Sequence, residues 1–135
     1  MMYQLTLVYV TTVWHKWHGN TWRDGTATWF PPQLMEFEKF HLPAWFDQQP
    51  MLAITTYGTL IIELALGSLA FWKPTRKYAV IGGLLLHAFI EYRFNIPLFA
   101  FTICSCYVMY YSGEEWEAWL KRWAGKFRKH REEAA

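Results

Sequence analysis

Chemistry in this chain starts with Lys16. The run HKWHGNTWRDG gathers His15, Lys16, His18, Asn20, Trp22 and Asp24 at the end of an apolar stretch. A lysine withdrawn from water gives up its proton more readily and can serve as a base. A lysine in this position can also simply mark a membrane boundary, with its stem in hydrocarbon and its ammonium among headgroups. On the residues alone the boundary reading is favoured. His15 and His18, three apart on a helix, could share a metal. A third ligand such as Asp24 or His41 would be needed, and no recognised zinc spacing is present, so no metal is expected.

Two further ionisable residues interrupt apolar runs, Glu63 and His87. Glu63 lies nine residues before Trp72 and His87 nine residues after Tyr78. In an antiparallel helical hairpin both side chains then sit roughly 13 Å from the turn. Polar groups at membrane mid-depth are costly and face other helices with a partner. Glu63 and His87 are therefore expected to face each other or a common third group, as a structural pair more readily than as part of a proton path. Glu91 and Arg93 fall near the opposite end of the second arm, on the side of Lys16. Shared depth predicts a Lys16–Glu91 pair and makes Glu91 a second candidate catalytic residue.

The elements that must position these residues are helices. The hairpin from Pro50 to Phe94 has two apolar arms joined by the basic turn KPTRK, each arm near the ~20 residues needed to cross a bilayer. The pattern predicts an all-α membrane protein with about four transmembrane helices: Met2 to Trp14 (short), Met51 to Trp72, Tyr78 to Phe94, and Ile96 to Tyr111. Asn95 and Pro97 suit a tight turn before the fourth. Gly82 and Gly83 would let a neighbouring helix approach closely. The expected division is a bundle over 1–111 and an amphipathic tail over 112–135.

Composition agrees with a membrane class. Of 135 residues, 53% are hydrophobic and 20% aromatic, with nine Trp, and aromatic rings collect at membrane interfaces. Mean hydropathy is near zero only because the charges are clustered: no Asp, Glu, Lys or Arg occurs between Phe94 and Gly113. The N-terminal run lacks a basic n-region and a cleavage site, so no cleavable signal is expected. Cys104 and Cys106 point to different faces of a helix, which disfavours a disulfide or metal pair. No phosphate-binding glycine loop, no nucleophile with a triad and no nucleic-acid patch is present. Nine of the 13 basic residues lie in the Lys73–Lys77 turn and the tail; the others are Lys16, Arg23, Lys39 and Arg93. With four spans, the positive-inside rule makes both termini cytoplasmic and puts the loop from His15 to Gln49 outside.

That loop carries Trp17, Trp22, Trp29, Phe30, Phe37, Phe40, Trp45 and Phe46, too many rings for open water. It is expected to lie in the interface and cap the bundle. Leu34, Phe37 and His41 would share one face of a short helix there, with Glu36, Glu38 and Lys39 around the rest, and Pro43 would start another. The tail opens with Ser112 and Glu115, a capping box. Trp116, Trp119, Leu120, Trp123 and Phe127 form one apolar stripe, and Glu117 with Lys121 an i,i+4 pair. A Trp-bearing stripe with a basic polar face predicts a helix lying on anionic lipid, with docking onto a partner protein as the alternative.

The run from Lys16 through Trp22 and Gly25 to Ala27 resembles the lysine-to-tryptophan-to-glycine segment of HTTM-domain proteins, the membrane family that includes the vitamin K-dependent gamma-carboxylase. Glu63 after a Thr-Thr-Tyr stretch, a basic turn, a helix with His87, then Asn95 and Phe99 follow in similar order. The resemblance covers about Val10 to Tyr110, the later part of the domain. It implies that Lys16 matches the base that deprotonates the hydroquinone, on the lumenal side. Three functions follow for weighing. The favoured expectation is a non-catalytic accessory subunit packing against a larger membrane complex through its aromatic loop and tail, with lipid and other subunits as partners. The alternative is a quinone-binding or carboxylase-like enzyme with Lys16 as base, the ligand being a quinone or a bound lipid. The last is a small proton-coupled transporter using Glu63 and His87.

Overall fold

The computed structural model describes residues 2–34, 36, 37 and 39–133, and side chains from 3 to 126. The chain is all-helical, with no strand among the described residues. Helix α1 (Met2–His18) is followed by the short α2 (Asn20–Arg23) and three 3-10 turns, Ala27–Trp29, Pro31–Gln33 and Ala44–Asp47. Helix α3 (Met51–Ser68) runs on as a 3-10 turn, Leu69–Phe71. Then come α4 (Lys73–Arg93), α5 (Phe99–Cys106) with a 3-10 extension Tyr107–Tyr110, and α6 (Gly113–Glu133).

One stretch among the described residues, Met51–Phe71, is long and apolar enough to cross a membrane by length and composition. The expected four spans are not shown on this criterion. The reason is visible in each helix. Gln4, several Thr and the His-Lys end dilute α1. Charges at both ends dilute α4. The apolar helix Phe99–Tyr110 is shorter than a span. The basic run KPTRK is not a turn but the opening of α4: Pro74 stands in its first turn, where a residue without an N–H loses nothing. Only Trp72 separates the two arms.

The helices pack antiparallel in sequence order. Tyr3 meets Phe71 at 5.6 Å between rings, and Lys16, at the far end of α1, reaches Glu63 of α3. Between them Gly67 lets α1 press in, since a Cβ there would lie 3.0 Å from Val10 Cγ2. Gly83 brings α4 against α3 and α5: its Cβ would lie 2.6 Å from the Tyr107 hydroxyl oxygen and 2.7 Å from Leu66 Cδ1. Gly82 makes no such approach, its nearest neighbour being 3.7 Å away. Leu5, Tyr9, Leu66, Ala70, Ala79, Val80, Tyr107 and Tyr110 form the buried core toward the Lys73 end.

Both ends are tied. At one, the Arg76 guanidinium donates to Ala70 O (3.0 Å) and to Glu115 (2.9 Å), pinning the root of α6 to α4. The Ser112–Glu115 capping box forms as expected: Ser112 N–H donates to Glu115 Oε2 at 2.8 Å, and Glu115 N–H to Ser112 Oγ at 3.3 Å. Along α6, Trp119 stacks on Trp123 at 6.2 Å, Trp119 and Leu120 stay exposed, and Lys121 meets Glu117 at 3.8 Å. The side chain of Phe127 lies outside the described residues.

At the other end the loop folds back over the bundle. Thr28 bonds Thr55 (2.8 Å) and Thr56 (3.1 Å), and the Tyr57 hydroxyl donates to Arg23 O at 2.8 Å. No helix spans Leu34 to His41 among the described residues, and Glu38 lies outside them. Backbone groups that a helix would use internally go elsewhere: Lys39 N–H donates to Arg93 O (3.1 Å), and Asn95 N–H to Phe37 O (2.7 Å). Pro43 precedes the 3-10 turn Ala44–Asp47.

Candidate functional site

The loop end of the bundle is hollow. A cavity of about 450 Å³ lies between α3, α4 and the loop. Leu52, Thr59, Ile62, Leu86 and Phe89 are among its walls, with Lys16 and Arg93 as its cations. Its size suits a drug-sized molecule and its lining is mostly apolar with a few polar groups, the usual make-up of a ligand site.

Lys16 stands in the last turn of α1, where a cation is favoured by the helix dipole. Its ammonium donates to Glu63 Oε1 and lies 4.9 Å from the centre of the Trp22 ring. The side chains are 26% and 9% exposed, so Glu63 is the buried partner. Glu63 Oε2 is buried and has no hydrogen-bond partner among the described residues. The pair is thus half-completed: one carboxylate oxygen is satisfied by the lysine and the other is open.

His87 is held elsewhere. Its Nδ1 lies 2.8 Å from Gly83 O and 3.1 Å from the Tyr107 hydroxyl, which lies 2.8 Å from the Tyr9 hydroxyl. A carbonyl only accepts, so Nδ1 carries its proton toward Gly83 and the Tyr107 oxygen shares it. Tyr107 is then free to donate to Tyr9. The result is a buried bridge from α4 through α5 to α1.

These contacts alter two expected pairings. Glu63 and His87 are both buried, but they do not bond each other. The carboxylate turns to the ammonium of α1, which neutralises it, and the imidazole turns to neutral partners. Lys16 does not pair with Glu91. Glu91 takes Lys39 of the loop at 3.4 Å, in a partly exposed pair away from the cavity lining. His18 rests on Trp14, with Nδ1 2.7 Å from Trp14 O. Asp24 accepts from Thr26 N–H at 3.1 Å. Among the described residues no group of three potential metal ligands gathers.

Sequence reasoning missed four participants. Tyr9 and Tyr107 carry no local sign that sets them apart from the other aromatics of their apolar runs. Arg93 enters only through its depth and the topology count, and nothing local singles out Asp47. In the fold, Arg93 Nη2 donates to Asp47 Oδ1 at 2.7 Å beside the cavity.

Comparison with curated proteins and with solved structures returned no match. The profile of the HTTM domain matches residues 1–116. The match runs from the start of α1 into the first turn of α6 and takes in Lys16, Trp22, Glu63 and His87, without singling out the carboxylase within the family. With nearly the whole described bundle inside that match, the chain belongs to the HTTM-domain family.

Proposed function

We propose that this membrane-associated protein holds a lipophilic ligand bearing an acidic hydroxyl, a hydroquinone or a lipid, in the cavity beneath its loop, with Lys16 as the base. The observation that carries this reading is the Lys16–Glu63 pair beside an apolar cavity, with one carboxylate oxygen open. In a medium of low dielectric an ammonium–carboxylate pair and an amine–carboxylic acid pair are both net neutral, so a proton can sit on either member. In the second form the Lys16 amine takes the ligand's hydroxyl proton. The resulting ammonium then stabilises the oxyanion beside it. Glu91, paired with Lys39 of the loop, is left with a structural role.

The membrane arrangement belongs to the same proposal. Helices α1, α3, α4 and α5 cross, with α1 and α5 short, and residues 1–111 form the ligand-holding bundle. The basic Lys73 end and the tail, 112–135, face the cytoplasm, so both termini are cytoplasmic and the loop is outside. A second reading, accessory subunit of a larger complex, is favoured by outward Leu7, Ile61, Leu85 and Phe101, all more than 60% exposed. Such surface meets lipid or another subunit.

Gentle extraction from the native membrane followed by native mass spectrometry tests the proposal. A small hydrophobic molecule should travel with the protein and be lost on Lys16→Met. A fixed place in a larger complex, with no ligand and no effect of Lys16→Met, favours the accessory reading.

A further inference from the structure

The cavity has a second polar pole that the Lys16–Glu63 pair does not explain. Arg93 ends α4, lines the cavity and is 4% exposed. Its Nη2 is taken by Asp47, but its Nη1 is buried and has no hydrogen-bond partner among the described residues. An unmade hydrogen bond on a buried charged donor is costly. The neighbouring wall, Phe46, Phe89 and Phe94, offers no side-chain acceptor.

We infer that Arg93 is a second ligand anchor, its Nη1 donating to a neutral oxygen acceptor at the loop end of the molecule whose hydroxyl meets Lys16. This rests on the cavity reading above and narrows the ligand class. Asp47 already balances Arg93, and Glu63 balances Lys16, so an anionic headgroup would leave an uncompensated buried charge. A ketone, ester or ether oxygen does not. Spacing sets the rest. On α4 the lining residues run from Leu85 to Arg93, and on α3 from Leu52 to Ile62; these intervals are two to three helical turns, about 12–15 Å. The fitting ligand carries a hydroxyl, an apolar body, and a neutral acceptor at about that distance.

The test compares two probes by calorimetry on the full chain in detergent. One is a para-alkylphenol; the other is the same phenol with a ketone about 12–15 Å, two to three helical turns, from its hydroxyl. The wild type should bind the ketone about tenfold more tightly, as one hydrogen bond from a charged donor gives. In Arg93→Met the two probes should bind alike. Should that variant not fold, Arg93→Met/Asp47→Asn, which leaves no stranded carboxylate, should show the same equality. Equal affinities in the wild type, or a ketone preference that survives in these variants, overturns the inference. In those cases plain-phenol binding that is lost on Lys16→Met leaves the cavity reading standing. Binding of neither phenol by the wild type overturns both.

Discussion

Lys16 of α1 and Glu63 of α3, 47 residues apart in sequence, form an ion pair that joins two helices at the edge of an apolar cavity. Glu63 is the more buried partner and keeps one oxygen open. Stranding a buried charge costs more than never having had the pair. Lys16→Met alone should therefore destabilise by about 2–3 kcal/mol, discounted because the ammonium is partly exposed. Lys16→Met/Glu63→Leu should recover most of that loss. Detergent-titration unfolding of both variants measures it, and a double variant no better than the single would deny the pairing.

The adjacent glycines of α4 should behave differently. Gly83→Ala forces a methyl against the Tyr107 hydroxyl and Leu66, both closer than real contacts allow, and overpacking of this kind costs about 1–3 kcal/mol. Gly82→Ala meets only ordinary contact with Ile62 and should be neutral or slightly stabilising, since alanine is the better helix former. Thermal unfolding of the two side by side reads the contrast.

Tyr107→Phe removes the hydroxyl between Tyr9 and His87 and leaves both facing an apolar edge. The loss should be about 1–3 kcal/mol. Tyr9→Phe with Tyr107→Phe should cost less than the sum of the singles, because the hydrogen bond between them counts once. Additive losses would mean that the two hydroxyls act independently.

The root of α6 should loosen in acid. The backbone N–H of Ser112 holds the Glu115 carboxyl below the ordinary carboxylate range, and Arg76 adds to that. A carboxyl whose value is lower folded than unfolded stabilises the fold above its unfolded value, and that contribution fades as pH falls through the folded one. Protease cutting at the start of α6 should therefore accelerate below about pH 4 in the wild type. Glu115→Gln should be cut faster at neutral pH and show a flatter acid response.

What the sequence disclosed, and what it hid, divides by the range of the interaction. Ser112 and Glu115 are three residues apart, so their mutual cap is a local fact. Helical content followed from apolar runs, though Pro74 was misread as turn chemistry when it opens α4. The segment near Phe37 looked helical by periodicity, but its backbone bonds Arg93 and Asn95, far along the chain. Gly67 carries no local sign that Val10 will press against it. Lys16 was found by type and position, while its partner depended on which acidic residue the antiparallel packing of α1 and α3 brings alongside.

The bonds of Thr28 to Thr55 and of Arg93 to Asp47 fasten the loop to α3 and α4 beside the cavity. Its side wall is different: Ile54 and Leu85 line the cavity and are more than 60% exposed. In the proposed membrane arrangement, such a side opening would be supplied from the surrounding hydrocarbon. Occupancy then tracks the mole fraction of the ligand dissolved in the bilayer, not its concentration in water. Diluting the membrane with inert lipid at fixed total ligand should empty the site, while changing the aqueous volume should leave it filled.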